Sequence, residues 1–129
     1  MANTIDDRAI VQARLQLEAI QQLVAAYHTI REKDDDDATI LQEIYEKPLA
    51  VSVRSDWQTP DSQFEPSEYQ LLLCWGGPAV RVIGELDCGD PSTARLEYQD
   101  WFTPWRELPT SAEETEALID YARFFSFVS

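Results

Sequence analysis

The sequence predicts one α+β domain with two N-terminal helices, an antiparallel β-meander of three to four strands, and a C-terminal helix packing on one face of the sheet. Three observations predict this class. Apolar residues recur at helical spacing over residues 5–31, short apolar runs separated by turn residues follow over residues 69–101, and a helix-capping motif precedes the last apolar segment. The length of 129 residues fits a single domain, and a hydrophobic fraction of 44% is sufficient for a core.

The first helix is predicted over residues 5–31, where neither glycine nor proline interrupts the chain. Its apolar residues, spaced alternately three and four apart, form one stripe: Ile10, Ala13, Leu17, Ile20, Val24 and Tyr27. Four consecutive aspartates follow: Asp34, Asp35, Asp36 and Asp37. Because these charges repel one another, the run predicts a solvated loop. Asp36 or Asp37 is expected to cap a short second helix that Pro48 ends.

A change to a period of two residues predicts the sheet. In residues 49–54 large apolar side chains alternate with small or polar ones, which predicts a strand. Residues 58–68 contain two prolines and are expected to form a loop. Glycine-containing turns over residues 76–77 and 88–92 join the strands of the meander. These strands are predicted over residues 69–75, 79–87 and 93–101.

Strict alternation assigns each strand two faces. The expected core face carries Val80, Val82, Leu86, Ala94, Leu96 and Tyr98. The expected solvated face carries Arg81, Ile83, Glu85, Asp87, Arg95, Glu97, Gln99 and Trp101. The C-terminal helix is predicted to begin at a capping box made by Ser111 and Glu114.

Charge restricts the partners. There are 24 Asp and Glu against 10 Lys and Arg, which gives a formal net charge of -14. Nucleic acid and anionic membranes repel such a chain, so direct binding to either is not expected, whereas a basic protein surface attracts it. Simple solubility is the other explanation of the charge. The N-terminus has no signal-peptide pattern and no stretch is long enough to span a membrane, which predicts a cytoplasmic protein with reduced cysteines.

No catalytic or metal-binding pattern is present. Cys74, Cys88 and His28 lack the spacing of zinc sites, and the aspartate run lacks the glycine of a calcium loop. Glu85 and Glu97 are expected to face one another across two strands, but arginines on the same face favour ion pairing over acid–base chemistry. The sequence therefore predicts no cofactor and no enzyme.

The segment Trp101 to Trp105 leaves two interpretations open. A proline between two tryptophans is a rigid corner, which either folds back to cover the end of the sheet or forms a binding platform. Arg106 follows and is positioned to stack on either indole.

The segments LLLCWGGPAVRVIGELD and ARLEYQDWFTPW, within residues 69–105, resemble a family of small acidic uncharacterised proteins carried by phages, plasmids and integrative elements of bacteria. The resemblance implies that the protein acts in the cytoplasm of a bacterial host cell. This resemblance implies no particular activity. By analogy of class, small acidic proteins of mobile elements often inhibit host defence, as anti-CRISPR proteins do, and some imitate nucleic acid with carboxylates.

The leading hypothesis is a non-enzymatic inhibitor of a host defence complex such as CRISPR–Cas, whose acidic surface occupies a basic nucleic-acid-binding site. Its expected contact residues are Asp34, Asp35, Asp36, Asp37, Glu85, Asp87, Asp90, Glu97, Asp100, Trp101 and Trp105. One alternative is a small-ligand-binding or enzymatic domain with an aromatic pocket lined by Trp75, Trp101, Trp105 and Cys74. The other is a structural subunit that forms a homodimer through its long first helix.

Overall fold

The computed structural model describes residues 4–100 and 103–127. Within these residues the chain forms three helices and a six-stranded antiparallel sheet, which confirms the α+β class. The elements in chain order are α1 (Thr4–Glu32), α2 (Ala38–Glu46), β1 (Ala50–Arg54), β2 (Glu68–Cys74), β3 (Ala79–Asp87), β4 (Asp90–Pro91), β5 (Arg95–Gln99), β6 (Arg106–Leu108) and α3 (Ala112–Ala122).

The sheet is larger than the sequence predicted. Its strands lie in the order β1-β2-β3-β5-β6, and β4 pairs with β3 beside this path. The expected number of three to four strands is wrong because β4 and β6 contain two and three residues, which is too short for a period of two to be recognised. All strand pairs are antiparallel.

Helix α1 lies across the middle of the sheet. It contacts β3 and β5 and packs beside α3, and α2 also contacts it. The predicted stripe is buried at Ala13, Leu17, Ile20 and Val24, each no more than 5% exposed. Because these residues recur every three or four positions, one side of the helix covers the sheet while the other meets solvent.

The face of the sheet under the helices forms the core. Leu71 of β2 lies opposite Val82 of β3, which lies opposite Leu96 of β5, and all three are fully buried. The predicted assignment of Val80, Val82, Leu96 and Tyr98 to this face is confirmed. Burial of these side chains supplies most of the stabilising free energy of folding.

The opposite face, which we call the open face, departs from the prediction at Ile83. Ile83 was expected to be solvated, but it is 4% exposed. It lies between Gln70 of β2 and Arg95 of β5 in the register, so the long side chains of a central sheet position cover it. Alternation identifies the face of a strand but does not determine how far its neighbours shield it.

Helix α3 begins at the predicted capping box. Oγ of Ser111 accepts a hydrogen bond from the Glu114 N–H at 3.2 Å, and Oε1 of Glu114 accepts one from the Ser111 N–H at 2.8 Å. These two bonds satisfy N–H groups that a helix leaves unpaired at its start. Among the described residues, no helix combines the length and apolar character that a membrane crossing requires.

Candidate functional site

The aspartate run lies in the exposed connection between α1 and α2. Oδ1 of Asp36 accepts a hydrogen bond from the Ala38 N–H at 3.0 Å, so it helps to begin α2. Asp37 occupies the N-cap position without a side-chain capping bond, and its Oδ2 lies 3.5 Å from Nη1 of Arg31. Asp36 and Asp37 therefore have local structural roles near the start of α2. The side chains of Asp34 and Asp35 are exposed, and we assign them no role in starting this helix.

Glu85, Asp87 and Asp90 lie together at the end of β3. Asp87 is paired with Asp90 across the β3–β4 ladder, and Cys88 and Gly89 form the turn between them with φ of 52° and 86°. All three acids are exposed. Like charges directly opposite one another are destabilising, so the repulsion between Asp87 and Asp90 lowers the stability of this turn.

A long loop, residues 55–67, lies at the same end of the sheet. The Ser67 N–H donates to the Arg54 carbonyl at 2.9 Å, and the Leu86 N–H donates to the Ser67 carbonyl at 2.8 Å. The loop and the β3–β4 turn border a hollow of about 510 Å³ whose lining includes Asp56, Glu65 and Cys88. These contacts bring the acids of the loop close to those at the end of β3.

The same loop exposes two large aromatic side chains. Trp57 has a relative exposure of 103%, and Phe64 has one of 61%. We call the combined surface of residues 55–67 and 84–92 the acidic end. It contains six acids and neither Lys, Arg nor His: Asp56, Asp61, Glu65, Glu85, Asp87 and Asp90. Sequence reasoning missed both residues: Phe64 lies between two prolines in the predicted loop of residues 58–68, which was a usable signal, whereas Trp57 lies just before that loop.

Glu97 lies on the open face and is already paired. Nε and Nη2 of Arg81 donate to Oε1 of Glu97 at 2.9 and 2.6 Å, and Nε of Arg95 donates to Oε2 at 3.1 Å. Nη1 of Arg81 donates to Oε1 of Gln70 at 2.6 Å. The expected pairing of Glu85 with Glu97 is wrong, because the register places Arg81 opposite Glu97.

The structure describes only part of the aromatic corner, residues 101–105. Trp105 is half-buried, with the Arg81 guanidinium carbon 4.1 Å from its ring centroid, and Asp100 is 7% exposed. Thr103 closes the corner: its N–H and its hydroxyl both donate to the Asp100 carbonyl, at 3.2 and 3.0 Å. Trp101 lies outside the described residues. Asp100 and Trp105 are therefore held mainly by contacts within the chain.

The residues of the aromatic pocket that the sequence offered as an alternative differ in exposure. Trp75 lies in the turn after β2 and is 69% exposed, while Cys74 is half-buried and contacts Gln12 at 3.9 Å. Burial raises the pKa of the Cys74 thiol, which disfavours the reactive thiolate. His28 lies sixteen residues beyond Gln12 along α1, a distance of roughly 24 Å, so the structure does not bring Cys74 and His28 together.

Metal-ligand residues show no suitable convergence in the part of the chain that the structure describes. There, no group of three or more His, Cys, Asp and Glu side chains is arranged to hold a metal ion.

Comparison of the chain with protein-family models, with curated proteins and with solved structures gives no match.

Proposed function

We propose that this chain is a non-enzymatic binding protein whose acidic end engages a basic protein surface. One observation carries the proposal: six acids and two exposed aromatics, Trp57 and Phe64, share a surface whose own segments contain no basic residue, with Arg54 and Arg123 at its border. Isolated exposed aromatics are common, but a fully exposed tryptophan within a one-sign charged surface is typical of an interface anchor.

The two kinds of side chain have different roles in this proposal. The carboxylates attract a basic partner over a distance of about 10 Å at ordinary ionic strength, which raises the association rate. Trp57 and Phe64 then enter apolar recesses of the partner, where their removal from water contributes most of the affinity. The bound complex thereby shields the repulsion between Asp87 and Asp90 that the isolated chain retains.

The expected contact residues divide on this basis. Glu85, Asp87 and Asp90 belong to the acidic end, and the aspartate run supplies a second exposed group of acids. We assign Glu97 and Asp100 to the stability of the fold, since the first is bound by two arginines and the second is buried.

The narrower form of the proposal names the partner as a host defence complex such as CRISPR–Cas, with the acidic surface occupying its nucleic-acid-binding site. Its support is the family resemblance of residues 69–105 and the net charge of -14. A channel that binds nucleic acid is lined by Lys and Arg, so it attracts a dense array of carboxylates for the same reason that it attracts phosphates.

The experiment begins with capture of a partner from a defence-bearing bacterial lysate, followed by purification of that partner and titration by calorimetry. Trp57→Ala is compared with Trp75→Ala, because both tryptophans are exposed but lie at opposite ends of β2. We expect Trp57→Ala to raise the dissociation constant by roughly thirtyfold, or about 2 kcal/mol, and Trp75→Ala to leave it unchanged.

A charge comparison completes the test. The variant Asp56→Asn, Asp61→Asn, Glu65→Gln is compared with Glu18→Gln, Glu43→Gln, Glu46→Gln, which removes the same number of exposed acids from α1 and α2. The loop variant should lose affinity and salt sensitivity, whereas the helix variant should retain both. An equal loss of affinity in the two variants would assign the effect to net charge and would contradict specific binding through the acidic end. Addition of duplex DNA should displace the chain if the partner's nucleic-acid site is the one it occupies.

A further inference from the structure

Strand β1 forms one edge of the sheet and is unusually open. It pairs with β2 on one side, and within the described residues no strand pairs with its other side. All five of its residues are exposed. The outward backbone N–H and C=O groups of such an edge are a template for another strand.

The side of β1 that faces the helical layer is apolar and uncovered. Val51 and Val53 lie opposite Leu71 and Tyr69, so they share the core face of the sheet. They nevertheless remain 45% and 37% exposed, and Leu49, just before the strand, is 65% exposed. Helix α1 packs on β3 and β5 near the middle of the sheet, and the described residues leave this apolar strip partly exposed.

The usual devices that protect an edge strand are absent from the middle of β1. Proteins guard such edges with a central lysine, a proline or a bulge, but residues 50–53 are Ala, Val, Ser and Val. Arg54 stands at the end of the strand, where its Nη2 bonds Oε2 of Glu68 at 2.8 Å. Residues 47–55 also contain two cations and no acid, so this segment adds no carboxylate repulsion between two copies.

We propose that the chain forms a twofold dimer in which β1 pairs antiparallel with β1 of a second copy, in a register centred on Ser52. The sequence is self-complementary about that residue. Ser52 meets Ser52 of the second copy on the open face, and Val51 meets Val53 of the second copy on the other face. Four valines then cover one another, and the two sheets become one continuous sheet across the twofold axis.

Salt distinguishes this contact from the proposed partner-binding function, on which it does not depend. Each copy carries a formal charge of -14, so two copies repel one another at long range. Added salt screens this repulsion and should strengthen the dimer, whereas it should weaken binding to a basic protein.

The first test measures self-association of the wild-type chain by sedimentation equilibrium at low and high sodium chloride. Val51→Lys, Val53→Lys is compared with Val11→Lys, Leu15→Lys, which places the same two charges on exposed apolar positions of α1. We expect the β1 variant to weaken the dimer at least about tenfold and the α1 variant to retain it. A wild-type chain that stays monomeric up to about 1 mM in high salt, or a dimer that only the α1 variant disrupts, would overturn the proposal.

The second test fixes the register without relying on a destabilising change. In a Cys88→Ser background, Ser52→Cys places two thiols directly opposite one another, within the Cα separation of roughly 4.4 to 6.8 Å that a disulfide needs. Ala50→Cys is the control, because its two copies would lie about 14 Å apart in this register. Rapid oxidative cross-linking of Ser52→Cys alone supports the register. Cross-linking of Ala50→Cys at the same rate, or of neither variant, would overturn it.

Discussion

The Arg81 guanidinium lies over the ring of Trp105, with its carbon 4.1 Å from the ring centroid, while its nitrogens bond Glu97 and Gln70. One cation thus joins three strands and an aromatic cover on the open face. The indole shields the ion pair from water, which strengthens the attraction within it. This geometry supports the interpretation of the aromatic corner as part of the fold at Trp105.

Replacement of Trp105 by alanine should therefore lower stability. We expect Trp105→Ala to reduce the free energy of unfolding by about 1–2 kcal/mol, from the lost cation–π contact and the lost cover of Arg81. Urea denaturation measures the change, with Trp75→Ala as a control whose stability should stay close to wild type. An unchanged urea midpoint for Trp105→Ala, together with a loss of partner affinity, would instead support the interpretation of Trp105 as an interface anchor.

The centre of the sheet should not tolerate a charge. Val82 is fully buried between Leu71 and Leu96, so Val82→Asp leaves a carboxylate without water or a partner. That cost is several kcal/mol, comparable to the stability of a whole domain, and we expect loss of the folded state in far-UV and near-UV circular dichroism. Val11→Asp is the matched control on the exposed side of α1 and should fold. A soluble Val82→Asp variant with a cooperative melt would refute the core assignment.

The sequence predicted most of the fold because periodicity reports the face of an element directly. The stripe of α1, the core face at Val82 and Leu96, and the capping box at Ser111 all follow from local patterns. Burial of Ile83 was missed because it depends on neighbouring strands, and the register that pairs Arg81 with Glu97 depends on turn geometry.

The candidate site was harder to predict from the sequence for a related reason. The sequence directed attention to the dense aromatic cluster around Trp105, whereas the exposed aromatics beside the acids are Trp57 and Phe64 in the long loop. A loop side chain is exposed when no other helix or strand packs against it, and the local sequence around the side chain does not reveal this. The proximity of that loop to Asp87 likewise follows only from the antiparallel pairing of β2 with β3.

Gly84 should resist substitution although it lies inside a strand. A Cβ at this position would overlap the carbonyl oxygen of Thr93 and would lie 2.8 Å from Oη of Tyr69. That carbonyl also accepts the Tyr69 hydroxyl at 2.7 Å, so neither group moves without breaking the bond. We expect Gly84→Ala to cost about 2 kcal/mol or more in thermal or chemical denaturation. Wild-type stability in this variant would show that the β3–β4 end relaxes easily.

Stability should fall in alkaline solution. Burial raises the pKa of Tyr69, and also that of Tyr121, so the folded state holds protons that the unfolded state releases above about pH 10. The stabilising contribution is thus complete below pH 10 and is lost as the pH rises further. Tyr69→Phe should cost about 1 kcal/mol at neutral pH and show a shallower alkaline loss in urea titrations, since Tyr121 is common to both proteins. An identical alkaline slope would contradict the role of Tyr69.

The two cysteines should differ sharply in reactivity. Cys88 is exposed in the β3–β4 turn, whereas Cys74 is half-buried, and burial raises the pKa of its thiol. Alkylation requires the thiolate, so at neutral pH iodoacetamide should modify Cys88 first and Cys74 much more slowly. Mass spectrometry of digested samples measures both rates, and unfolding in urea should remove the difference. Because Cys88 borders the hollow of the acidic end, a bound partner should also slow its modification while leaving Cys74 unaffected. Equal protection of the two cysteines, or faster labelling of Cys74 in the folded chain, would contradict this placement.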